Sequence, residues 1–189
     1  YQLYFYFHYL RAVLRLKKQT AKNRINFEVQ KFPVSVIICA KDELDNLREY
    51  LPNVLTQDYP EYEVIVVNDG SGEETEMLLN NFRKDYPHLR TTFVPAGATN
   101  LSTKKLALTL GVKAAKYDWL LFTDADCVPG DKTWISRMAR NFNPGIEFVL
   151  GYGAYFQKKG FLNRLICYDT LFCALQYMGF ALAHKPYMG

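Results

Sequence analysis

Residues 119–127 read Trp-Leu-Leu-Phe-Thr-Asp-Ala-Asp-Cys, an apolar run that ends in two carboxylates spaced Asp-x-Asp. The run predicts a buried strand, and Asp124 and Asp126 would follow its carboxyl end, the edge at which open α/β sheets bind their ligands. Two carboxylates this close repel each other unless a positive charge lies between them. A hard divalent cation that also contacts substrate phosphates supplies such a charge. The alternative is a solvated turn in which one carboxylate caps the next helix.

The rest of the chain alternates between strand and helix patterns. Apolar, β-branched runs and helical spacings predict strands at 34–39, 64–67, 91–94 and 119–123 and helices at 44–55, 71–82 and 103–116. We expect Asp42 to cap the first of these helices, and Ser71 with Glu74 to form a capping box on the second. Strands about thirty residues apart with helices between them have the spacing of βαβ units, which predicts an α/β fold with a mostly parallel sheet flanked by helices.

Polar residues follow three of the predicted strands. They are Lys-Asp-Glu at 41–43, Asn-Asp-Gly-Ser at 68–71 and Asp-Ala-Asp at 124–126. Because the carboxyl ends of parallel strands share one edge, we expect the three groups to converge there. Each could instead be a turn or a helix cap, and for Asp42 and Ser71 both interpretations stay open. No strand is followed by Gly-x-Gly-x-x-Gly or Gly-x-x-x-x-Gly-Lys-Ser/Thr, which argues against a dinucleotide-binding Rossmann enzyme and a P-loop NTPase.

Three motifs taken together resemble those of family 2 glycosyltransferases with the GT-A fold. They are Val-Ser-Val-Ile-Ile-Cys-Ala-Lys-Asp-Glu at 34–43, Val-Ile-Val-Val-Asn-Asp-Gly-Ser at 64–71 and Leu-Phe-Thr-Asp-Ala-Asp-Cys at 121–127. The resemblance covers about residues 33–155. It implies an inverting transfer of a sugar from a nucleotide-sugar, with a UDP-sugar favoured and Mg²⁺ or Mn²⁺ as cofactor, to a glycan or lipid-linked acceptor. Cell-envelope glycan or glycolipid synthesis is the implied role.

The resemblance assigns the phosphate side of the donor site to three residues. Asp126 matches the metal ligand that meets the diphosphate, and Asp124 lies nearer the ribose and shares in holding the metal. Lys104 matches a family lysine that precedes an Ala-Leu pair and faces the donor, and Lys105 is the weaker candidate. These three residues would form the catalytic group, because a metal ion and a lysine neutralise the charge that develops on the leaving diphosphate.

The nucleoside side is assigned in the same way. Asp69 matches the aspartate that hydrogen-bonds the base, typically uracil, although the family often has two acids there and this chain has Asn68 first. Ala40 and Lys41 would line the base or the ribose. The residues expected to bind the donor are Ala40, Lys41, Glu43, Asp69, Ser71, Lys104, Asp124 and Ala125.

The general base that must take a proton from the acceptor hydroxyl is not evident. In the family it is an acid well downstream of the Asp-x-Asp pair, and after Asp131 the only acids here are Glu147 and Asp169. Neither has the family's context, and Asp169 is a weak candidate. We therefore expect the chain to be a fragment of a longer enzyme that retains the donor side and lacks the acceptor side.

The sequence divides into three expected parts. They are an aromatic and basic segment at 1–31, the nucleotide-sugar-binding domain at 32–160 and a hydrophobic helical segment at 161–189. Residues 1–31 carry seven basic side chains and one acidic side chain, in a chain with a net charge of +4. Aromatics followed by basic residues fit the interfacial end of a transmembrane helix, or a surface helix, at the cytoplasmic face of the membrane. A soluble helix packed on the domain is the alternative. The basic stretch lacks a nucleic-acid-binding signature.

Two other functions stay open on the sequence alone. A sugar-phosphate nucleotidyltransferase should carry a Gly-rich, Arg-containing loop after the first strand, where this chain has Ala-Lys-Asp-Glu at 40–43. A non-catalytic scaffold would keep the fold without turnover, which would suit the missing base. The four scattered cysteines lack the Cys-x-x-Cys spacing of a zinc site, so free thiols in a reducing cytosol are expected.

Overall fold

A computed structural model describes most of the chain, namely residues 2–22, 31–95 and 103–182. Two compact units are present. One is Val29–Ile146, which contains the sheet, and the other joins Tyr1–Glu28 to Glu147–Gly189. The parts of the predicted terminal segments at 1, 23–30 and 183–189 lie outside the described residues.

The first unit is built on a parallel sheet of four strands. In chain order they are β1 (Val34–Ala40), β2 (Tyr62–Asn68), β3 (Leu89–Phe93) and β4 (Trp119–Asp124). Their spatial order is β3-β2-β1-β4, and each neighbouring pair is parallel. The strands β1 and β2 are buried almost throughout, as expected for Val- and Ile-rich strands with both faces covered. The predicted parallel sheet is confirmed, and the strand bounds differ from the predicted ones by two residues at most.

Six helices accompany the strands among the described residues. They are α1 (Gln2–Ala21), α2 (Leu44–Leu55), α3 (Glu73–Asp85), α4 (Thr103–Ala114), α5 (Trp134–Ala139) and α6 (Phe161–Leu182). The helices α2, α3 and α4 each connect two strands of the parallel sheet, as a parallel arrangement requires. The three helices predicted between the strands are therefore confirmed.

Helix α4 packs closely on the middle of the sheet. A Cβ atom on Gly111 would lie 2.5 Å from Ile37 Cγ2 and 3.2 Å from Val67 Cγ2, so a larger residue would push the helix away. Ala107, one turn earlier on α4, joins Ile37 and Val67 in the buried core. This packing positions the helix whose amino end carries Lys104.

A buried acid ties α4 to the opposite edge of the sheet. Glu63 accepts hydrogen bonds from Ser35 Oγ at 2.7 Å, from the Lys116 N–H at 2.6 Å and from Arg90 Nη1 at 3.0 Å. Arg90 also donates to the Ala114 carbonyl at 2.7 Å. Burial by itself would raise the pKa of Glu63, but these hydrogen bonds and the Arg90 charge outweigh it and lower the pKa. The carboxyl end of α4 is thus attached to β2 and β3.

Both predicted helix caps are wrong. Helix α2 begins after Glu43, and Asp42 is not its cap because the Asp42 backbone has a left-handed φ of 56°. Helix α3 begins at Glu73 without a side-chain capping bond, so Ser71 and Glu74 form no capping box. The Ser71 hydroxyl instead accepts a hydrogen bond from the Asp42 N–H at 3.0 Å. This contact joins the loop after β1 to the loop after β2.

The second unit contains α1 and α6. They meet at Gly179, where an added Cβ would lie 2.8 Å from Tyr9 Cδ1, and at the rings of Tyr9 and Phe180, whose centroids are 5.4 Å apart. Large apolar side chains on α6, including Phe161 and Leu162, are exposed. Of the helices described, α6 alone is long and apolar enough, by length and composition, to cross a membrane. The hydrophobic helix expected from residue 161 onward is present, and α1 covers it only in part.

Candidate functional site

The polar residues that follow β1, β2 and β4 converge at one edge of the sheet. They line a cavity of about 310 Å³. The lining comprises Cys39, Ala40, Lys41, Glu43, Asp69, Lys104, Ala107, Asp124, Ala125 and Asp126. Every residue predicted to bind the donor or a metal lies in this lining except Ser71. The expected convergence of the three polar groups is therefore present, and the role of each residue stays a prediction.

Asp124 ends β4 and contacts Lys104 on α4. Lys104 Nζ lies 3.1 Å from Asp124 Oδ1, and the two side chains are 69% and 58% exposed. The hydrogen bond to Asp124, followed by the charge of that carboxylate, raises the pKa of Lys104 and keeps the amine protonated. An ion pair this exposed is weak. Either partner can therefore exchange the other for a phosphate or a cation.

The two carboxylates could hold a metal ion. Ligand atoms of Asp124, Asp126 and Cys127 lie within 4.8 Å of one another, and all three residues are exposed. Although Cys127 is exposed as a residue, partial burial of its sulfur, and after it the charge of Asp126, raises the pKa of the thiol. The raised pKa disfavours the thiolate that would bind a metal, so Cys127 is a poor third ligand. Carboxylate oxygens are the ligands that Mg²⁺ and Mn²⁺ prefer. The donor set thus fits a hard ion held by two carboxylates, with its other positions open to phosphate and water.

Neither carboxylate caps the next helix. Thr133 holds the N-cap position of α5, several residues further along the chain. The Asp124 carbonyl accepts the Cys127 N–H at 3.2 Å, which closes a tight turn after the strand. Ala125 inside the turn is buried, whereas Asp126 is exposed to the cavity. The capping alternative is thereby excluded, and the turn presents both carboxylates to one space.

Asp69 lies on the β2 side of the cavity. Its side chain is 11% exposed, and its Oδ2 lies 3.9 Å from Lys41 Nζ. Its N–H donates to the Ala40 carbonyl at 2.8 Å, which fixes the start of the loop. Asn68, where the family often has a second acid, accepts the Ser71 N–H at 3.0 Å and so supports the loop. On the β2 side of the cavity, Asp69 is therefore the carboxylate that can accept hydrogen bonds from a ligand.

Glu43 and Ser71 occupy different positions. Glu43 lines the cavity at the start of α2, where its carboxylate accepts a hydrogen bond from Asn46 Nδ2 at 2.5 Å. Ser71 is buried outside the lining, and its hydroxyl holds the Asp42 N–H. In this structure Ser71 supports the loops around the cavity, and its contact with a donor stays a prediction.

Sequence reasoning missed two residues of the lining, Cys39 and Ala107. Ala107 lies three residues after Lys104 on α4, so the helical period alone could have indicated it. Cys39 pairs with Asp124 across β1 and β4, and that register is set by strand packing rather than by a motif. The thiol is half-buried, and this burial raises its pKa.

A second, larger cavity of about 600 Å³ adjoins the first between α4 and β4. Its lining is mostly apolar and includes Leu108, Val112 and Phe122. It shares Cys39, Lys104 and Asp124 with the first cavity. Because the groups that can bind a charged ligand converge in the smaller cavity, we take the smaller cavity as the candidate site.

Residues 35–179 match the family described as Glycosyl transferase family 2. A poly-beta-1,6-N-acetyl-D-glucosamine synthase of Staphylococcus epidermidis is 29% identical over 135 residues, which are 70% of this chain and 31% of that protein. The synthase of the same name from Staphylococcus aureus is 26% identical over 134 residues, again 70% of this chain and 31% of the relative. The chain thus spans less than a third of the length of these curated relatives.

Among solved structures, the mannosyltransferase PcManGT from Pyrobaculum calidifontis, in complex with GDP-Man and Mn²⁺, is similar in fold. It aligns with a TM-score of 0.52 at 22% identity and covers 74% of this chain and 42% of that chain. This likeness supports the GT-A arrangement of a mostly parallel sheet between helices. The matched residues include the polar groups of all three motifs, which follow β1, β2 and β4. The chain belongs to glycosyl transferase family 2.

Proposed function

We propose that the chain is the donor-binding part of an inverting, metal-dependent glycosyltransferase that takes its sugar from a nucleotide-diphosphate sugar, with a UDP-sugar favoured. The observation that carries this proposal is the convergence of Lys41, Asp69, Lys104, Asp124 and Asp126 on one cavity. One basic and acidic pair, Lys41 with Asp69, can bind the base of a nucleotide. The other group, Lys104 with Asp124 and Asp126, can bind the diphosphate and a cation.

Lys104, Asp124 and Asp126 would bind the diphosphate side of the donor. The two carboxylates outnumber the lysine, so the site is net negative and would repel a diphosphate without a cation. A bound Mg²⁺ or Mn²⁺ would neutralise the charge that develops on the departing diphosphate. The protonated and exposed amine of Lys104 can donate to a phosphate oxygen without a large loss of hydration. The charge balance of the site therefore favours metal dependence.

Asp69 and Lys41 would contact the base. The nearly buried carboxylate of Asp69 is an acceptor, and the ammonium of Lys41, 3.9 Å away, is a donor. An acceptor beside a donor complements the adjacent N–H and carbonyl groups on the edge of uracil. Guanine also presents an N–H group beside a carbonyl, so this pair of side chains can contact either base. The preference for uridine nucleotides rests on the family resemblance, in which the aspartate at this position typically hydrogen-bonds uracil.

Calorimetric titration of UDP and GDP, with and without Mn²⁺, tests the proposal. We expect the wild-type chain to bind UDP more tightly than GDP, and only with metal. Asp126→Ala should lose the Mn²⁺-dependent binding of UDP, and Asp69→Ala should weaken UDP binding. Asp118→Ala, an exposed acid before β4, is the matched control and should bind as wild type. Binding that ignores Mn²⁺, or none by a folded chain, would contradict the proposal.

The relatives support a polysaccharide as the class of product. Both are named for the synthesis of poly-beta-1,6-N-acetyl-D-glucosamine. We extend the proposal to cell-envelope glycan synthesis from an N-acetylhexosamine donor. Competition between UDP-N-acetylglucosamine and UDP-glucose in the same titration tests this extension. Equal affinity for the two sugars would leave no support for an acetamido preference.

The second unit supports a place at the cytoplasmic face of a membrane. Exposed basic residues on α1, including Arg11, Arg15 and Lys18, accompany the exposed apolar side chains of α6. Basic and apolar groups on one unit suit a surface of anionic lipid. We expect co-sedimentation with phosphatidylcholine vesicles that increases when phosphatidylglycerol is added and decreases at high salt. A folded chain that stays in the supernatant with both vesicles would contradict this placement.

A further inference from the structure

We infer that Gln57 is a positioning residue for the acid pair: it anchors the trailing loop, residues 127–133, and thereby fixes Asp126 relative to Asp124. The inference rests on the proposed cation site and adds to it a buried residue from a different part of the chain. Gln57 lies just after α2 and is outside the cavity lining. Its effect on the site would therefore be indirect.

The two carboxylates have different supports. Asp124 belongs to β4 and pairs with Cys39 of β1, so the sheet holds it. Asp126 lies two residues beyond the strand, and among the described residues the hydrogen bond that its side chain accepts comes from Cys127 Sγ at 3.6 Å. A bond from a thiol is a weak restraint. The position of Asp126 therefore depends on the chain that follows it.

Gln57 anchors that following chain. Its Nε2 donates to the Asn53 carbonyl at 2.9 Å and to the Asp131 carbonyl at 3.0 Å. Its Oε1 accepts the Ile135 N–H at 3.2 Å, and its own N–H donates to Tyr62 Oη at 3.1 Å. Gln57 is 7% exposed, so these hydrogen bonds are shielded from water. One side chain thus links the end of α2 to the trailing loop and to the start of α5.

The neighbouring residue strengthens the same link. The Asp58 N–H donates to the Lys132 carbonyl at 2.7 Å, and the Asp58 carbonyl accepts Ser136 Oγ at 3.2 Å. Only four residues separate Asp126 from Asp131, and one of them is proline, whose φ is restricted. The anchor is therefore close enough along the chain to limit where Asp126 can lie.

Ser35 provides the control for a purely structural role. It is fully buried, donates to Glu63 and accepts the Tyr117 N–H at 3.1 Å. Ser35 lies near the amino end of β1, whereas the acid pair follows the carboxyl end of β4. Ser35→Ala should therefore lower stability and leave the acid pair in place.

The inference is tested by titrating Mn²⁺ alone into wild type, Gln57→Met and Ser35→Ala. Electron paramagnetic resonance measures the bound Mn²⁺ at each step. Methionine keeps the length of glutamine and removes its hydrogen-bonding groups. We expect Gln57→Met to weaken Mn²⁺ binding about 10-fold, at the low end of what outer-shell changes cost a metal site. Ser35→Ala should bind Mn²⁺ as wild type. Unchanged affinity in a folded Gln57→Met variant, or an equal loss in Ser35→Ala, would overturn the inference.

Two further measurements keep the inference testable. Ser136→Ala removes one exposed hydrogen bond of the same link, so we expect it to lose less Mn²⁺ affinity than Gln57→Met. If Gln57→Met does not fold, an unchanged Mn²⁺ affinity in Ser136→Ala overturns the inference. Amide hydrogen exchange of the trailing loop should be faster in either variant. If wild type binds no Mn²⁺, the proposed metal site fails. In that case, amide hydrogen exchange of the trailing loop that is no faster in the variants than in wild type also overturns the anchoring role of Gln57.

Discussion

In the proposed site, Lys104 would compete with a cation for Asp124 and would attract the phosphates that such a cation accompanies. Replacing Lys104 with Met should therefore change two affinities in opposite directions. Without nucleotide, Mn²⁺ should bind about threefold more tightly, as expected from the loss of one exposed ion pair. UDP with Mn²⁺ should bind more weakly, because a phosphate ligand is lost. Parallel titrations of Mn²⁺ and of UDP with Mn²⁺ measure both changes.

Lys105 offers the matched control, since it is the next residue on α4, is exposed and is absent from the cavity lining. Lys105→Met should leave both affinities unchanged. If Lys104→Met and Lys105→Met behave alike, Lys104 acts only through the general field of a basic helix and has no special place at the site.

Glu63 should make stability depend on acid pH. Its folded pKa is below the ordinary value of 4.5, so its contribution is complete above that pH and is lost as pH falls through the folded pKa. Glu63→Gln should lower the free energy of unfolding at pH 7 by about 1–3 kcal/mol, because a charged acceptor of several hydrogen bonds is lost. It should also flatten the decline below pH 4.5. Urea unfolding across pH measures both effects.

The exposed acid Glu49 on α2 serves as the control for Glu63. Glu49→Gln should leave both the neutral stability and its decline in acid close to wild type. A Glu63→Gln variant whose stability falls with acid as steeply as that of wild type would show that other groups cause the decline.

At the scale of elements, the contact of α4 with the sheet sets the position of Lys104. Gly111→Ala adds a methyl group 2.5 Å from Ile37 Cγ2. Alanine normally favours a helix over glycine by about 1 kcal/mol, but overpacking costs about 1–3 kcal/mol. We expect net destabilisation by thermal unfolding and weaker UDP binding as α4 moves outward. Lys113→Ala, exposed on the same helix, should have neither effect; a stabilised Gly111→Ala variant would contradict the tight contact.

The strands β1 and β2 were predictable because runs of Val and Ile have to be buried on both faces of a parallel sheet. The prediction that β4 is a buried strand is wrong for the described chain, where β4 lies at an edge of the sheet and only Leu121 of the strand is buried. The helix starts were not, since a capping side chain acts only if the loop brings it to the first turn. The Asp42 backbone is left-handed, and the Asp42 N–H donates a hydrogen bond to the Ser71 hydroxyl. Neither residue therefore caps a helix. No local pattern indicates that contact, because it joins residues 29 positions apart.

The acid pair and Lys104 were predictable from motifs, and their convergence follows from the parallel order of β1, β2 and β4. The Lys104–Asp124 contact also needs α4 to lie at one depth on the sheet, which depends on Gly111. Gln57 carries no sequence signal for its role. Its partners lie 74 and 78 residues away, and only the folded chain brings them together.

At the scale of the whole molecule, the exposed apolar surface of α6 should make the chain associate with itself in water. Phe161 is 83% exposed and Leu162 is 68% exposed. Replacing both with Ser should shift the chain toward monomer, because less apolar surface is then available for burial. Light scattering after size exclusion, at several concentrations and with detergent, measures this shift. A double Ser variant at the exposed Lys158 and Lys159 is the control, and a wild-type chain that is monomeric throughout would contradict the expectation.

The joining of the two ends of the chain into one unit has no counterpart in the sequence pattern. It depends on contacts between distant parts of the chain, such as Tyr9 against Gly179. A hydrophobic helix and an aromatic helix can each be predicted from composition. Their packing depends on the close contact of the Tyr9 ring with Gly179, which no sequence pattern indicates.

The unequal supports of Asp124 and Asp126 have a consequence for how such a site diverges among relatives. The backbone of Asp124 belongs to the sheet, whereas Asp126 lies beyond the strand, next to the trailing loop anchored by Gln57. In the proposed cation site, a change at the end of α2 would alter how Asp126 is held while the motif stays identical. We therefore expect two homologues with the same Asp-x-Asp letters to differ in ion preference where the residue at the position of Gln57 differs.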